Sequence, residues 1–132
     1  MGISTEVRSS IDTKVLMVAA AGTTRMPADL DCYPAPPDAA LRALLELRPD
    51  VVLIDCPEEC AQALDLIASL RATTSLPILA VTGNVDVGVY ALRAGADSIV
   101  PKPISTADVR LRIGRLLDRR VRAGCLPGRV AA

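Results

Sequence analysis

Three polar side chains stand at or near the ends of apolar segments of the sequence. Asp55 ends the segment VVLID, Thr82 lies in PILAVTG, and Lys102 lies in SIVPKP. A carboxylate, a hydroxyl and an ammonium can form an ion pair and can hydrogen-bond a small charged group. That chemistry requires the fold to bring together three residues that are distant in the sequence.

The elements that must position these residues alternate between strand and helix. Short, continuous apolar segments are typical of buried strands. Between them, apolar residues recur at the spacing of a helix. This alternation predicts a single α/β domain with a doubly wound parallel sheet, whose functional crevice lies at the carboxyl ends of the strands. The predicted strands are residues 14–20, 51–55, 77–83 and 98–103, with an edge strand at 30–35.

Composition excludes several classes of function. The chain has 132 residues, 51% hydrophobic and 23% charged, which is typical of one globular domain. It contains no histidine, which excludes Ser-His-Asp triads and histidine-containing zinc sites, and its four cysteines form no CxxC pair. Lys+Arg and Asp+Glu number 15 each, so the net charge gives no reason to expect binding to nucleic acid or to a membrane surface. With no secretory signal or membrane span in the sequence, we expect a cytoplasmic protein.

The residues at the strand ends carry a family resemblance. Asp55, Thr82 and Lys102, together with the stretch ALRAGADSIVPKP, resemble the receiver domain of bacterial response regulators. The resemblance implies a flavodoxin-like, five-stranded sheet in the order 2-1-3-4-5. It also implies that Asp55 accepts a phosphoryl group, that Thr82 contacts the phosphoryl oxygens, and that Lys102 pairs with their charge. A cis peptide bond before Pro103 is a further expectation.

The sequence departs from this family at the end of its first strand. The family places two acidic residues there to hold Mg²⁺, and the matching positions are Ala19 and Ala20. Mg²⁺ takes about six oxygen ligands in tight octahedral geometry, and a methyl group supplies none. We therefore expect no cofactor, or Mg²⁺ bound only weakly, and slow or absent phosphorylation of Asp55.

Further departures concern the first helix and the conformational switch. Residues 21–36 must supply both a helix and an edge strand and contain three prolines, so we expect a shortened first helix. Ile99 stands where the family usually has a Tyr or Phe that moves inward on activation. We expect residues 1–13 to be a flexible leader, 14–122 the receiver-like domain, and 123–132 a flexible tail.

The last predicted helix is rich in arginine. From residue 103 to 132 the chain has seven arginines and two aspartates. A helix face exposed to solvent would explain these charges. By the resemblance, an interaction surface is the alternative, because receivers dimerise or bind effectors through the face around their fourth and fifth helices. Direct nucleic-acid binding is not expected, because no helix-turn-helix follows. The residues expected on the interaction face are Tyr90, Leu92, Arg110, Leu111 and Arg115.

These observations predict an atypical receiver in two-component phosphorelay signal transduction. It would have no enzymatic activity and would act by contact with a histidine kinase, a downstream effector or a second copy. One alternative is a conventional phospho-accepting receiver that holds Mg²⁺ through Glu58 or Glu59. A remote alternative is a small flavin- or nucleotide-binding protein, in which the turn AAAGTT after the first strand holds a phosphate.

Overall fold

The computed structural model of the protein describes residues 13–19 and 31–122, with side chains to Arg119. Several predicted features lie outside these residues. They are residues 1–12 of the leader predicted at 1–13, Ala20, the glycine turn, the shortened first helix, and the tail at 123–132. In the described ranges, no helix has the length and apolar character needed to cross a membrane.

Five parallel strands form one sheet in the order β2-β1-β3-β4-β5, which confirms the predicted topology. Each predicted apolar segment holds one strand. The strand that contains Pro34 lies at an edge, the position that tolerates a missing backbone N–H. The strands are β1 (Lys14–Val18), β2 (Asp31–Ala35), β3 (Val51–Asp55), β4 (Ile78–Thr82) and β5 (Ser98–Pro101).

A 3-10 turn and α-helices connect the strands in the described part of the chain. The second of these helices begins at Ala61, after the exposed residues 57–59. The helical elements are the turn Pro37–Ala39, α1 (Ala40–Leu47), α2 (Ala61–Thr73), α3 (Val85–Ala94) and α4 (Thr106–Arg122).

Apolar side chains build a core on each face of the sheet. Because successive residues of a strand point to opposite faces, β3 contributes to both cores and is buried along its whole length. Val52 and Ile54 pack with α1, α2 and α3 on one face. Val51 and Leu53 pack with Val109 of α4 on the other. This packing holds the carboxyl ends of the strands at one edge.

Both ends of α3 are fixed by local chemistry. Asn84 Oδ1 accepts the backbone N–H groups of Asp86 at 2.8 Å and Val87 at 3.2 Å, which caps the start of the helix. Gly95 ends the helix with a φ of 130°, a conformation that favours glycine. Arg71 Nε donates to the Gly95 carbonyl at 3.0 Å, so α2 is tied to the loop before β5.

Candidate functional site

Asp55 and Lys102 meet at the carboxyl edge of the sheet. Asp55 is the last residue of β3, Lys102 directly follows β5, and β4 lies between these strands. Lys102 Nζ lies 2.6 Å from Asp55 Oδ1. The backbone N–H of Lys102 donates to the Thr82 carbonyl at 3.1 Å, which anchors this segment to the end of β4. The structure therefore brings the three strand-end residues to one edge of the sheet.

The Asp55 carboxylate is almost entirely buried, and Lys102 reaches it from the solvent side. Their side chains are 6% and 37% exposed, respectively. Within the described residues, Asp55 Oδ1 receives no hydrogen bond of good geometry, so its contact with Lys102 is an ion pair. A buried charge is costly unless an opposite charge compensates it. Lys102 is the group that provides this compensation.

The Thr82 hydroxyl is engaged in the loop after β4. Thr82 is buried, and its Oγ1 accepts the backbone N–H of Asn84 at 3.1 Å. The same oxygen lies 3.5 Å from the Asn84 carbonyl, which is too long for a strong hydrogen bond. Thr82 thus stabilises the turn that leads into α3. Nearby, the peptide bond between Lys102 and Pro103 is cis.

The position on β1 that is level with Asp55 carries no acid. Val18 is paired with Ile54 across β1 and β3, so the next residue, Ala19, is level with Asp55. The backbone N–H of Ala19 donates to the carbonyl of Ala35 at 3.1 Å. The side chain at this position is a methyl group, which cannot bind a cation.

The donor set around Asp55 does not fit Mg²⁺. One carboxylate oxygen already faces the Lys102 ammonium. Across residues 13–19 and 31–122, no group of three acidic or cysteine side chains could hold a metal ion. Glu58 and Glu59 are both exposed and do not complete such a group, so the alternative that relied on them gains no support. The six oxygen ligands that Mg²⁺ prefers are not supplied by the described side chains.

Ile99 packs directly against α3. A Cβ placed on Gly88 of α3 would lie only 2.7 Å from Ile99 Cδ1. This close approach exists because Gly88 has no side chain, and Ile99 fills the space above it. The half-buried Ile99 therefore holds α3 against β5.

Cys56, the residue after Asp55, has a protonated thiol at neutral pH. Its exposure is 1%, and Sγ lies 3.7 Å from the Ile54 carbonyl, to which it donates. Burial, followed by the nearby Asp55 carboxylate, raises the pKa of the Cys56 thiol to about 11. Because the thiolate is the reactive form of cysteine, Cys56 is a packing residue here.

The face formed by α3, β5 and α4, called here the α3–β5–α4 face, exposes apolar side chains. Tyr90, Leu92 and Leu111 are 50%, 44% and 51% exposed. Tyr90 and Leu92 lie two residues apart on α3 and point about 200° apart, so they border opposite sides of the helix. Sequence analysis missed Val85 and Val89, which are 82% and 40% exposed and share a side of α3 with Leu92.

The arginines named from the sequence lie on α4. Arg110 and Arg115 are exposed. Arg112, in contrast, is held by Asp108 Oδ1 at 3.0 Å and by Ser98 Oγ at 3.1 Å. The interaction residues named from the sequence are therefore at the surface, but they do not form one continuous apolar stripe.

Comparison with known sequences finds response regulators. The chain is 37% identical over 82 residues to the DNA-binding response regulator MtrA of Mycolicibacterium smegmatis, a match that covers 61% of this chain and 36% of that protein. It is 41% identical over 87 residues to a protein-glutamate methylesterase/protein-glutamine glutaminase 2 of Anaeromyxobacter dehalogenans, covering 64% of this chain and 25% of that protein. The chain thus spans well under half the length of these relatives. No family model matches it.

Comparison with solved structures gives the same fold. The receiver domain of the TMAO respiratory system response regulator TorR superimposes with a TM-score of 0.67 at 23% identity. The match covers 81% of this chain and 98% of that domain. The chain is therefore similar in sequence to response regulators, and it has the fold of their receiver domains.

Proposed function

We propose that this receiver acts by protein–protein contact, with weak or no Mg²⁺-dependent phosphorylation at Asp55. The observation that carries this proposal is the methyl group of Ala19 level with Asp55, beside an Asp55–Lys102 ion pair. In this proposal Asp55 and Lys102 neutralise each other, and the conformation of the domain is set by a partner.

The physical argument concerns the charge that develops during phosphoryl transfer. That charge spreads over the equatorial oxygens of the phosphoryl group, and bound cations stabilise it. Lys102 is the cation that approaches Asp55, and it is already paired with the carboxylate. Without the acids that would hold a second cation, we expect phosphorylation to be slow.

We also propose that this domain does not signal through the movement of an aromatic side chain. Ile99 is packed on Gly88, and the Thr82 hydroxyl is bonded within its own loop. Both contacts support a domain in which β5 and α3 keep one arrangement as long as no partner is bound. We therefore assign Asp55, Thr82 and Lys102 to a phosphoryl-site remnant, with no catalytic role.

The proposed partners are proteins that bind the α3–β5–α4 face: a histidine kinase, a downstream effector, or a second copy in a homodimer. Support comes from the exposed Val85, Val89 and Leu92 on α3 and from the exposed Arg110 and Arg115 on α4. We propose a cytoplasmic location and no direct contact with nucleic acid.

Light scattering tests the homodimer. The wild type should show the mass of a dimer, and Val89→Asp should reduce it to the mass of a monomer. A monomeric wild type excludes the homodimer.

Intact-mass measurement after incubation with Mg²⁺ and acetyl phosphate tests the proposal. The wild type should gain little or no phosphoryl mass. As a gain-of-function control, Ala19→Asp combined with Ala20→Asp should become labelled, and the label should be lost when Asp55→Ala is added. Stoichiometric labelling of the wild type that Asp55→Ala abolishes would overturn the proposal. Glu58→Gln and Glu59→Gln would then show whether either acid supplies the metal ligand.

A further inference from the structure

A small cavity lies beside Asp55, on the side of the sheet that packs against α1, α2 and α3. It occupies about 120 Å³ between the ends of β1 and β3, the 3-10 turn and the start of α2. Val18, Ile54 and Leu66 supply aliphatic walls. For scale, an apolar cavity of about 150 Å³ in another protein holds one benzene molecule. The space therefore suits a ligand with a short alkyl chain.

The polar groups of this cavity are acidic or neutral. Asp55, Glu59 and Gln62 line it, and none of its described lining residues is a lysine or arginine. The Asp55 side chain is 6% exposed, and its Oδ1 is already ion-paired with Lys102 Nζ at 2.6 Å. Glu59 is exposed at the rim. Two carboxylates and an amide oxygen can accept hydrogen bonds from an ammonium group.

We propose that this cavity binds a free aliphatic primary amine in its protonated form. The alkyl chain lies between Val18, Ile54 and Leu66, and the ammonium group contacts the Glu59 carboxylate at the rim, next to the Asp55–Lys102 ion pair. Alkylammonium groups are protonated at neutral pH, as the lysine side chain is. The ligand would supply a positive charge beside Asp55 without the octahedral oxygen shell that Mg²⁺ needs. This proposal concerns a separate ligand of the unphosphorylated domain, and it does not depend on how fast Asp55 is phosphorylated.

Titration of the full chain with n-butylammonium chloride tests the proposal. Amide NMR spectra should show saturable shifts at Asp55, Glu59 and Ala63, with half-saturation on the order of millimolar, as expected of so small a ligand. n-Butanol has the same alkyl chain without the charge, and sodium chloride matches the ionic strength. Equal shifts with either control, or shifts that never saturate, would overturn the proposal.

A matched pair of variants separates this cavity from general attraction to acidic side chains. Glu59→Gln removes a carboxylate that lines the cavity, whereas Glu58→Gln removes an exposed neighbour that is not among its lining residues. Glu59→Gln should raise the half-saturating concentration about three- to fivefold, the size expected for one partly exposed ion pair. Glu58→Gln should leave it unchanged. Equal effects of the two variants would contradict the assignment.

A third variant tests the aliphatic part of the site. Ala63 lines the cavity, and Ala63→Leu places additional carbon atoms in the space proposed for the alkyl chain. The dispersed amide spectrum should persist while n-butylammonium binding is lost. Unchanged binding in the folded variant would reject the cavity as the site. Should Ala63→Leu not fold, the Glu59 and Glu58 comparison decides the question.

Discussion

At the scale of single residues, the central feature is a buried carboxylate with one exposed partner. Asp55 and Lys102 are not equivalent, because one is buried and the other remains partly in water. Removing the cation leaves a buried charge without compensation, whereas removing the carboxylate also removes its desolvation cost. The two halves of this ion pair should therefore respond differently to substitution.

Lys102→Met, which keeps the aliphatic stem and loses the charge, should lower the free energy of unfolding by about 1–3 kcal/mol. Asp55→Asn should change it by less than about 1 kcal/mol in either direction. The double variant should be more stable than Lys102→Met alone. Urea unfolding of the three variants measures these differences. A larger loss in Asp55→Asn than in Lys102→Met would contradict the account.

Cys56 gives a prediction for alkaline pH. Its pKa is raised from 9.0 to about 11 in the folded protein, so above pH 9 the unfolded chain releases this proton first. The stability that the protonated thiol contributes is complete below pH 9 and is lost as the pH rises through 11. Between pH 9 and pH 11, the free energy of unfolding of the wild type should fall by about 2 kcal/mol relative to that of Cys56→Ala. Denaturant unfolding at several pH values measures this, and a constant difference would contradict it.

The sequence predicted where the site residues lie better than what each of them does. Asp55 and Lys102 meet because strand ends of a parallel sheet share one edge, which is a consequence of topology. The hydrogen bond of Thr82 to Asn84 depends on the local backbone of the loop, which no residue pattern specifies. Glu59 could not be assigned to a cavity, because cavities arise from the imperfect packing of several elements.

At the scale of elements, the strands were predictable and some helix boundaries were not. Buried parallel strands are continuous apolar segments, so β3 and β4 match their segments closely. The start of α2 could not be placed from the sequence, because Glu58 and Glu59 are acceptable in a first helical turn and yet lie before the helix. The exposed side of α3 was also missed: Val85 and Val89 resemble core residues until the packed side of the helix is known.

Two glycines form a matched pair for testing element boundaries. Gly95 has a φ of 130°, and a Cβ there would lie 2.9 Å from Arg71 Cβ. Gly95→Ala should therefore lower the free energy of unfolding by about 1–3 kcal/mol. Gly114 lies in α4 with open space around its Cα, so Gly114→Ala should raise stability by about 0.5–1 kcal/mol. Thermal unfolding compares them, and equal effects would count against this description.

At the scale of the whole molecule, two regions of the receiver have different characters. The carboxyl edge of the sheet holds a neutralised ion pair beside a small acidic cavity. The α3–β5–α4 face carries exposed valines, leucines and arginines. Ile99 and Gly88 join α3 to β5 between these regions. We propose that in this arrangement a bound partner, more than a chemical change at Asp55, sets the state of the domain.

The most direct test of this account is a titration of the isotope-labelled protein with Mg²⁺, followed by amide NMR spectroscopy. The account predicts no saturable shift of the Ala19, Asp55 and Cys56 amide signals at physiological magnesium concentrations, because the described side chains supply too few oxygen ligands. Saturable shifts of these three signals in that range, abolished by Asp55→Asn, would contradict it.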